Sequence, residues 1–94
     1  MYSIKEPTYP QYILRIIKTF LRDRRERYGT KSNCFTYKGL HSWYMYSNTA
    51  RGVREELSWH TIERLIRRLA EDGFLTRIEK GRKVVIFCLN TEVL

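Results

Sequence analysis

The residue types able to hold a metal ion or act as nucleophiles are few in this chain: His41, His60, Cys34 and Cys88. They are scattered, with no CxxC or HxxxH spacing, so a zinc site is not expected. No glycine-rich phosphate loop occurs. Glu55-Glu56 sits in a polar connection, where a solvated pair is the simpler reading. The expectation is a non-enzyme without metal or cofactor. A different chemistry is spaced out between Ser58 and Asp72. With Ile62 at zero and about 100° per residue, Leu65, Ile66 and Leu69 fall within about 60° of it, making one apolar face. His60, Thr61, Arg64, Arg67, Arg68 and Glu71 take the opposite arc. A guanidinium presents a planar fork that fits phosphates and guanine edges. Arg67 has Glu63 and Glu71 four residues to either side, so ion pairing is its expected state.

The helix bearing these side chains requires other elements to hold it. Residues 1–9 are polar with a proline, and read as an extended N-terminal arm. Pro10 suits the opening turn of a first helix. Ile13, Ile16, Ile17, Phe20 and Leu21 give that helix an apolar stripe, and Gly29 ends it. Its far end, Arg22-Asp23-Arg24-Arg25-Glu26-Arg27, reads equally as a solvated terminus or as a phosphate contact. Cys34-Phe35-Thr36 fits a short strand, with Thr36 capping a second helix from Tyr37 to about Tyr46. That helix would bury Leu40, Trp43 and Tyr44, although Gly39 and its aromatics disfavour it. Residues 47–56 have no period and form a connection.

Ser58 is a suitable N-cap for the third helix, and Gly73 a suitable stop, where a positive φ is cheap. Residues 75–79 and 83–89 then form two strand-like runs joined by Lys80-Gly81-Arg82, a hairpin with a short tip.

One domain is all that 94 residues support. Eighteen Lys and Arg against ten Asp and Glu give a net charge of +8, and the pI is about 9.8. That balance is the electrostatic footprint of a nucleic-acid binder, and Arg outnumbers Lys two to one. No apolar run approaches the roughly 20 residues that cross a bilayer, and the first residues lack a secretory pattern. The expected location is therefore the cytoplasm, or a host cell's cytoplasm for a viral protein. Two cysteines are too few for a secreted disulfide scaffold. The tyrosines around the first helix, Tyr2, Tyr9, Tyr12 and Tyr28, are expected to pack locally.

The stretch from Ser58 through Thr61-Ile62, Arg64, Leu65 and Leu69 to Gly73-Phe74-Leu75 resembles the recognition-helix segment of winged-helix DNA-binding regulators. The resemblance covers Leu57 to Asn90 well and the rest by element order. The compact size and the Tyr and Arg richness also resemble small regulators of archaea and their viruses or plasmids. It implies an α+β fold: a winged helix-turn-helix over residues 10–94, with three helices and a small antiparallel sheet ending in a wing hairpin. One departure is the long connection between the second and third helices, which carries Arg51 and Arg54.

The resemblance implies sequence-specific double-stranded DNA binding by a homodimeric transcriptional regulator. Ser58, His60, Thr61, Arg64 and Arg68 would face the major groove, with Arg64 reading a base and Arg68 touching phosphate. Arg77, Lys80, Arg82 and Lys83 of the wing would meet backbone or minor groove. Lys38, Arg51 and Arg54 are secondary contacts. In such a sheet the strand at Cys34 pairs with the second wing strand, which would bring Cys34 and Cys88 close; free buried thiols are nonetheless the expected state. No small-molecule ligand is implied. The alternatives are a DNA-segregation protein using the same surface, or an RNA- or protein-binding winged helix whose Trp43, Tyr44, Tyr46 and Trp59 stack on bases.

Overall fold

The first helix begins where Pro10 predicts: α1 spans Gln11–Tyr28, with Pro10 as N-cap and Gly29 as C-cap. A computed structural model describes residues 10–48, 50 and 58–90; the expected arm at 1–9, Arg51, Arg54, Tyr2, Tyr9 and residues 91–94 lie outside the described residues. Ile13, Ile16, Ile17, Phe20 and Leu21 are buried along one side of α1, as their spacing requires.

Strand β1, Cys34–Thr36, runs directly into helix α2, Tyr37–Tyr46. Thr36 serves both elements. Its backbone is extended, and its hydroxyl accepts from the Gly39 N–H at 3.1 Å. A Cβ on Gly39 would meet that hydroxyl oxygen at 3.3 Å. The glycine that argues against a helix on propensity thus lies against the cap that starts it. Leu40, Trp43 and Tyr44 are buried, one helical face as expected.

Helix α3, Trp59–Glu71, is capped by Ser58, whose Oγ accepts from the Thr61 N–H at 3.3 Å. Ile62, Ile66 and Leu69 are fully buried, while Leu65 is only half-buried at the rim of the core. The helix closes with two reversed hydrogen bonds, Phe74 N–H to the Leu69 carbonyl at 2.9 Å and Gly73 N–H to the Ala70 carbonyl at 3.3 Å. Gly73 holds the φ of +90° this closure demands.

The hairpin comprises β2, Leu75–Lys80, and β3, Val84–Leu89. Lys80 pairs with Val84, so its loop is Gly81-Arg82-Lys83, one residue further along than the sequence suggests. Gly81 takes a φ of +69° at the start of the loop. The sheet is antiparallel in the order β1-β3-β2. Phe35, Phe87, Leu75 and Leu89 line its inner face, beneath the helices. Phe20, Phe35, Phe87 and Tyr37 form a chain of rings with centroids 4.9 to 6.3 Å apart, linking α1 through the sheet to α2.

Cys34 and Cys88 form a disulfide, contrary to the expectation of free thiols. The cause is register. Cys34 lies directly opposite Cys88, and the Leu89 N–H donates to the Asn33 carbonyl at 2.9 Å. The cysteines therefore occupy the adjacent pair without mutual backbone bonds, where antiparallel strands approach most closely.

The described residues thus form an α+β fold with three helices and one three-stranded antiparallel sheet. No helix among them is long and apolar enough to cross a membrane.

Candidate nucleic-acid interface

The first turn of α3 stands in solvent. Ser58, His60 and Arg64 are exposed and Thr61 is half-buried. The Ser58 and Thr61 hydroxyls lie 3.1 Å apart and satisfy one another, so the cap and its neighbour are engaged in holding the helix start. His60 projects almost fully into water, with its Nδ1 3.8 Å from a Glu63 carboxylate oxygen. Arg64 is exposed and, among the described residues, has no carboxylate partner. One turn on, the Arg68 Nε lies 3.7 Å from Asp72. An exposed pair of this kind contributes about 0–1 kcal/mol, so a phosphate can displace the carboxylate.

Arg67 corrects an expectation. It pairs with neither Glu63 nor Glu71; its charge instead falls near Tyr37, at the start of α2. Burial pushes the Tyr37 phenol above its ordinary pKa of 10.0; Arg67 opposes that shift, Glu63 adds to it, and Arg77 opposes it. One phenol thus senses charges on α3 and on β2, two elements that pack against each other. Arg77 is on the inner sheet face because it shares the side of β2 occupied by Leu75 and pairs across to Phe87.

In the hairpin, Arg77 reaches Glu79 at 3.2 Å. Lys80, Arg82 and Lys83 are exposed and have no carboxylate partner among the described residues. Lys38, near the start of α2, joins Lys83 in lining a hollow of about 360 Å³ with Tyr37 and Val84. The secondary contact expected at Lys38 is therefore contiguous with the hairpin tip.

Alternating strand geometry puts Ile78, Lys80, Val84 and Ile86 on the outer sheet face with the disulfide. Lys80 thus points away from Arg77.

Sequence reasoning missed what the charged end of α1 does. Asp23 is buried; it accepts from the Trp43 indole N–H at 2.9 Å and from the Arg27 Nε at 3.0 Å. Arg24 turns back to donate to the Ser32 and Cys34 carbonyls at 3.0 and 2.7 Å, and lies over the Phe20 ring at 5.2 Å. Burial lowers its pKa from the ordinary value. Asp23 thus fastens α1 to α2 and Arg24 fastens α1 to β1, while Arg27 holds the Asp23 carboxylate from within α1. The signal was available, since Asp23 lies three residues after Phe20 and seven after Ile16, on the buried stripe.

Among the proposed base-stacking rings, Trp43 and Tyr44 are buried, and Trp59 packs against His41 at 4.7 Å. Tyr46 alone of that set is exposed. Tyr28, expected to pack locally, is also exposed, and both line a hollow of about 580 Å³ between α1 and α2. The carboxylate in that hollow, Asp23, is already taken up by Trp43 and Arg27. Comparison with protein-family models, curated proteins and solved structures finds no match to this chain.

Proposed function

We propose that the chain is a winged-helix protein that binds double-stranded DNA sequence-specifically, as a homodimeric transcriptional regulator. Helix α3 enters the major groove with Arg64 reading a base edge; the hairpin meets the adjacent backbone or minor groove through Lys80, Arg82 and Lys83. The observation that carries this reading is a set of exposed cations with no carboxylate partner among the described residues, Arg64 and Arg67 on α3 and Arg82 and Lys83 at the hairpin loop, on two elements that pack together. Paired charges would keep a surface soluble equally well, whereas an excess of unpaired cations on two adjoining elements suits a polyanion. The order of elements, with β3 between β1 and β2, is the arrangement a wing needs.

A protein for DNA segregation would use the same surface and belongs to the same proposal. Stacking on single-stranded RNA is disfavoured because two of its four candidate rings, Trp43 and Tyr44, are buried and a third, Trp59, is partly buried against the core. Competition decides between the partners: duplex DNA should displace a bound fluorescent duplex far better than single-stranded RNA does. Preferential displacement by the RNA would overturn the reading. Light scattering at tens of micromolar tests the dimer, which a monomer mass would rule out.

A further inference from the structure

Helix α1 carries a second cationic surface. Arg15, Lys18, Arg22 and Arg25 recur at intervals of three, four and three residues, which keeps them within about 80° of arc. Ile13, Ile16, Ile17 and Phe20 take the other side and are buried. Two shallow hollows of about 170 and 310 Å³ run along the cationic arc, and both are lined by Lys18 and Arg22. The first continues past Arg25 to the backbone around Ser32 and Asn33, which adds no acid.

The usual explanation of such an arc is a solvated helix laced by ion pairs between residues four apart. For Lys18, Arg22 and Arg25 that lacing is missing among the described residues. Glu26 is four residues after Arg22 but does not pair with it, and Asp23 faces inward to Trp43 and Arg27. Lys18, Arg22 and Arg25 have no carboxylate partner among the described residues. The basic run that looked uniform in sequence is sorted by the fold, with Arg24 fastened to β1 and Arg27 paired to Asp23, while Arg22 and Arg25 lie on the side of α1 that carries Arg15 and Lys18.

We infer that this arc binds the phosphate backbone of a nucleic acid, as a site separate from α3 and the wing, so that one molecule can hold two duplex segments. The eleven residues from Arg15 to Arg25 span about 15 Å of helix. Four cations over that length approach the charge density of one DNA strand, about one phosphate per 3.4 Å of axis. Nothing on the arc is shaped to read bases, so the contact is sequence-independent. Because α1 and α3 bury their apolar sides in one core, their cationic arcs face outward in different directions. The bridging rests on the α3-and-wing reading; the α1 surface does not.

The test uses two variants of the full chain. One replaces Arg15, Lys18, Arg22 and Arg25 with Gln; the other replaces Arg64, Arg68, Arg82 and Lys83 with Gln. Single-duplex affinity is read by anisotropy on random DNA, and bridging by capture of a fluorescent duplex on beads bearing a second duplex. The α1 variant should bind one duplex within about threefold of wild type and bridge at least tenfold less. The α3-and-wing variant should keep weak binding with a log–log salt slope of about 3–4, as four neutralised phosphates give.

Circular dichroism and the thermal midpoint monitor folding, and Arg15→Lys, Arg22→Lys and Arg25→Lys together should retain bridging. The inference is overturned if wild type does not bridge, if the α1 variant bridges normally, or if both variants lose single-duplex binding alike. Should only the α1 variant lose duplex binding, the α3-and-wing reading fails and α1 is the nucleic-acid site.

Discussion

At the scale of single residues, the roles divide by what each cation is tied to. Arg64 has no carboxylate partner among the described residues and stands one turn into an exposed helix. Arg64→Ala should therefore lower preference for a selected site over random duplex by about 1–3 kcal/mol, roughly 5- to 150-fold. Arg82→Ala should weaken both DNAs about equally. Equal effects of the two changes on both DNAs, measured by anisotropy, would contradict the assignment. Asp23→Ala leaves the Trp43 indole and the Arg27 guanidinium without their acceptor and should cost about 1.5–3 kcal/mol in urea denaturation.

Tyr37 makes a pH-dependent case. Its hydroxyl is buried and has no hydrogen-bond partner among the described residues, and burial raises its pKa above 10.0. The folded state thus favours the neutral phenol. Its contribution is present below the unfolded pKa near 10 and is lost as pH rises through the higher folded value. Denaturation midpoints measured between pH 8 and 11 should fall at the alkaline end, and less so for Tyr37→Phe. An unchanged alkaline slope in that variant would contradict the account. Residue roles were legible where periodicity isolates a face, as for Arg64. They were not legible for Arg24, whose partners come from β1 and the preceding loop, and for Asp23 only the inward direction was legible, not its Trp43 partner on α2.

At the scale of elements, local chemistry predicted the boundaries well. Ser58, Thr36, Gly29 and Gly73 each act within a turn of the residue they satisfy, so the chain announces them locally. What escaped the sequence is non-local. The hairpin loop is shifted by one residue because strand pairing fixes Lys80 opposite Val84, and the disulfide follows from a register no spacing rule contains. That bridge joins residues 54 apart in sequence, which in the chain-entropy view stabilises the fold by about 4 kcal/mol. Denaturation with and without reductant should differ by about 2–4 kcal/mol, and Cys34→Ser with Cys88→Ser should abolish the difference. Equal midpoints would show that the bridge contributes no stability. The end of β3 has a second fastener in Asn90, which donates to the Gly73 carbonyl at 2.5 Å and accepts from the Thr76 hydroxyl at 2.7 Å. It holds the exit of α3 against the base of the hairpin, and so fixes the relation between the two elements proposed to meet DNA.

At the scale of the whole molecule, the charge of +8 is organised by the fold. Composition pointed to a polyanionic partner, but could not say which cations the core would recruit or that Arg15, Lys18, Arg22 and Arg25 would line one side of α1 opposite its buried face. The central claim is that the arc formed by α3 and the wing binds duplex DNA and reads its sequence. The most direct test is an anisotropy titration with random duplex at two salt concentrations, repeated on a site obtained by selection. The account predicts binding that weakens steeply with salt and tightens by at least about 10³-fold on the selected site. Absence of duplex binding at low salt, or equal affinity for selected and random DNA, would contradict it.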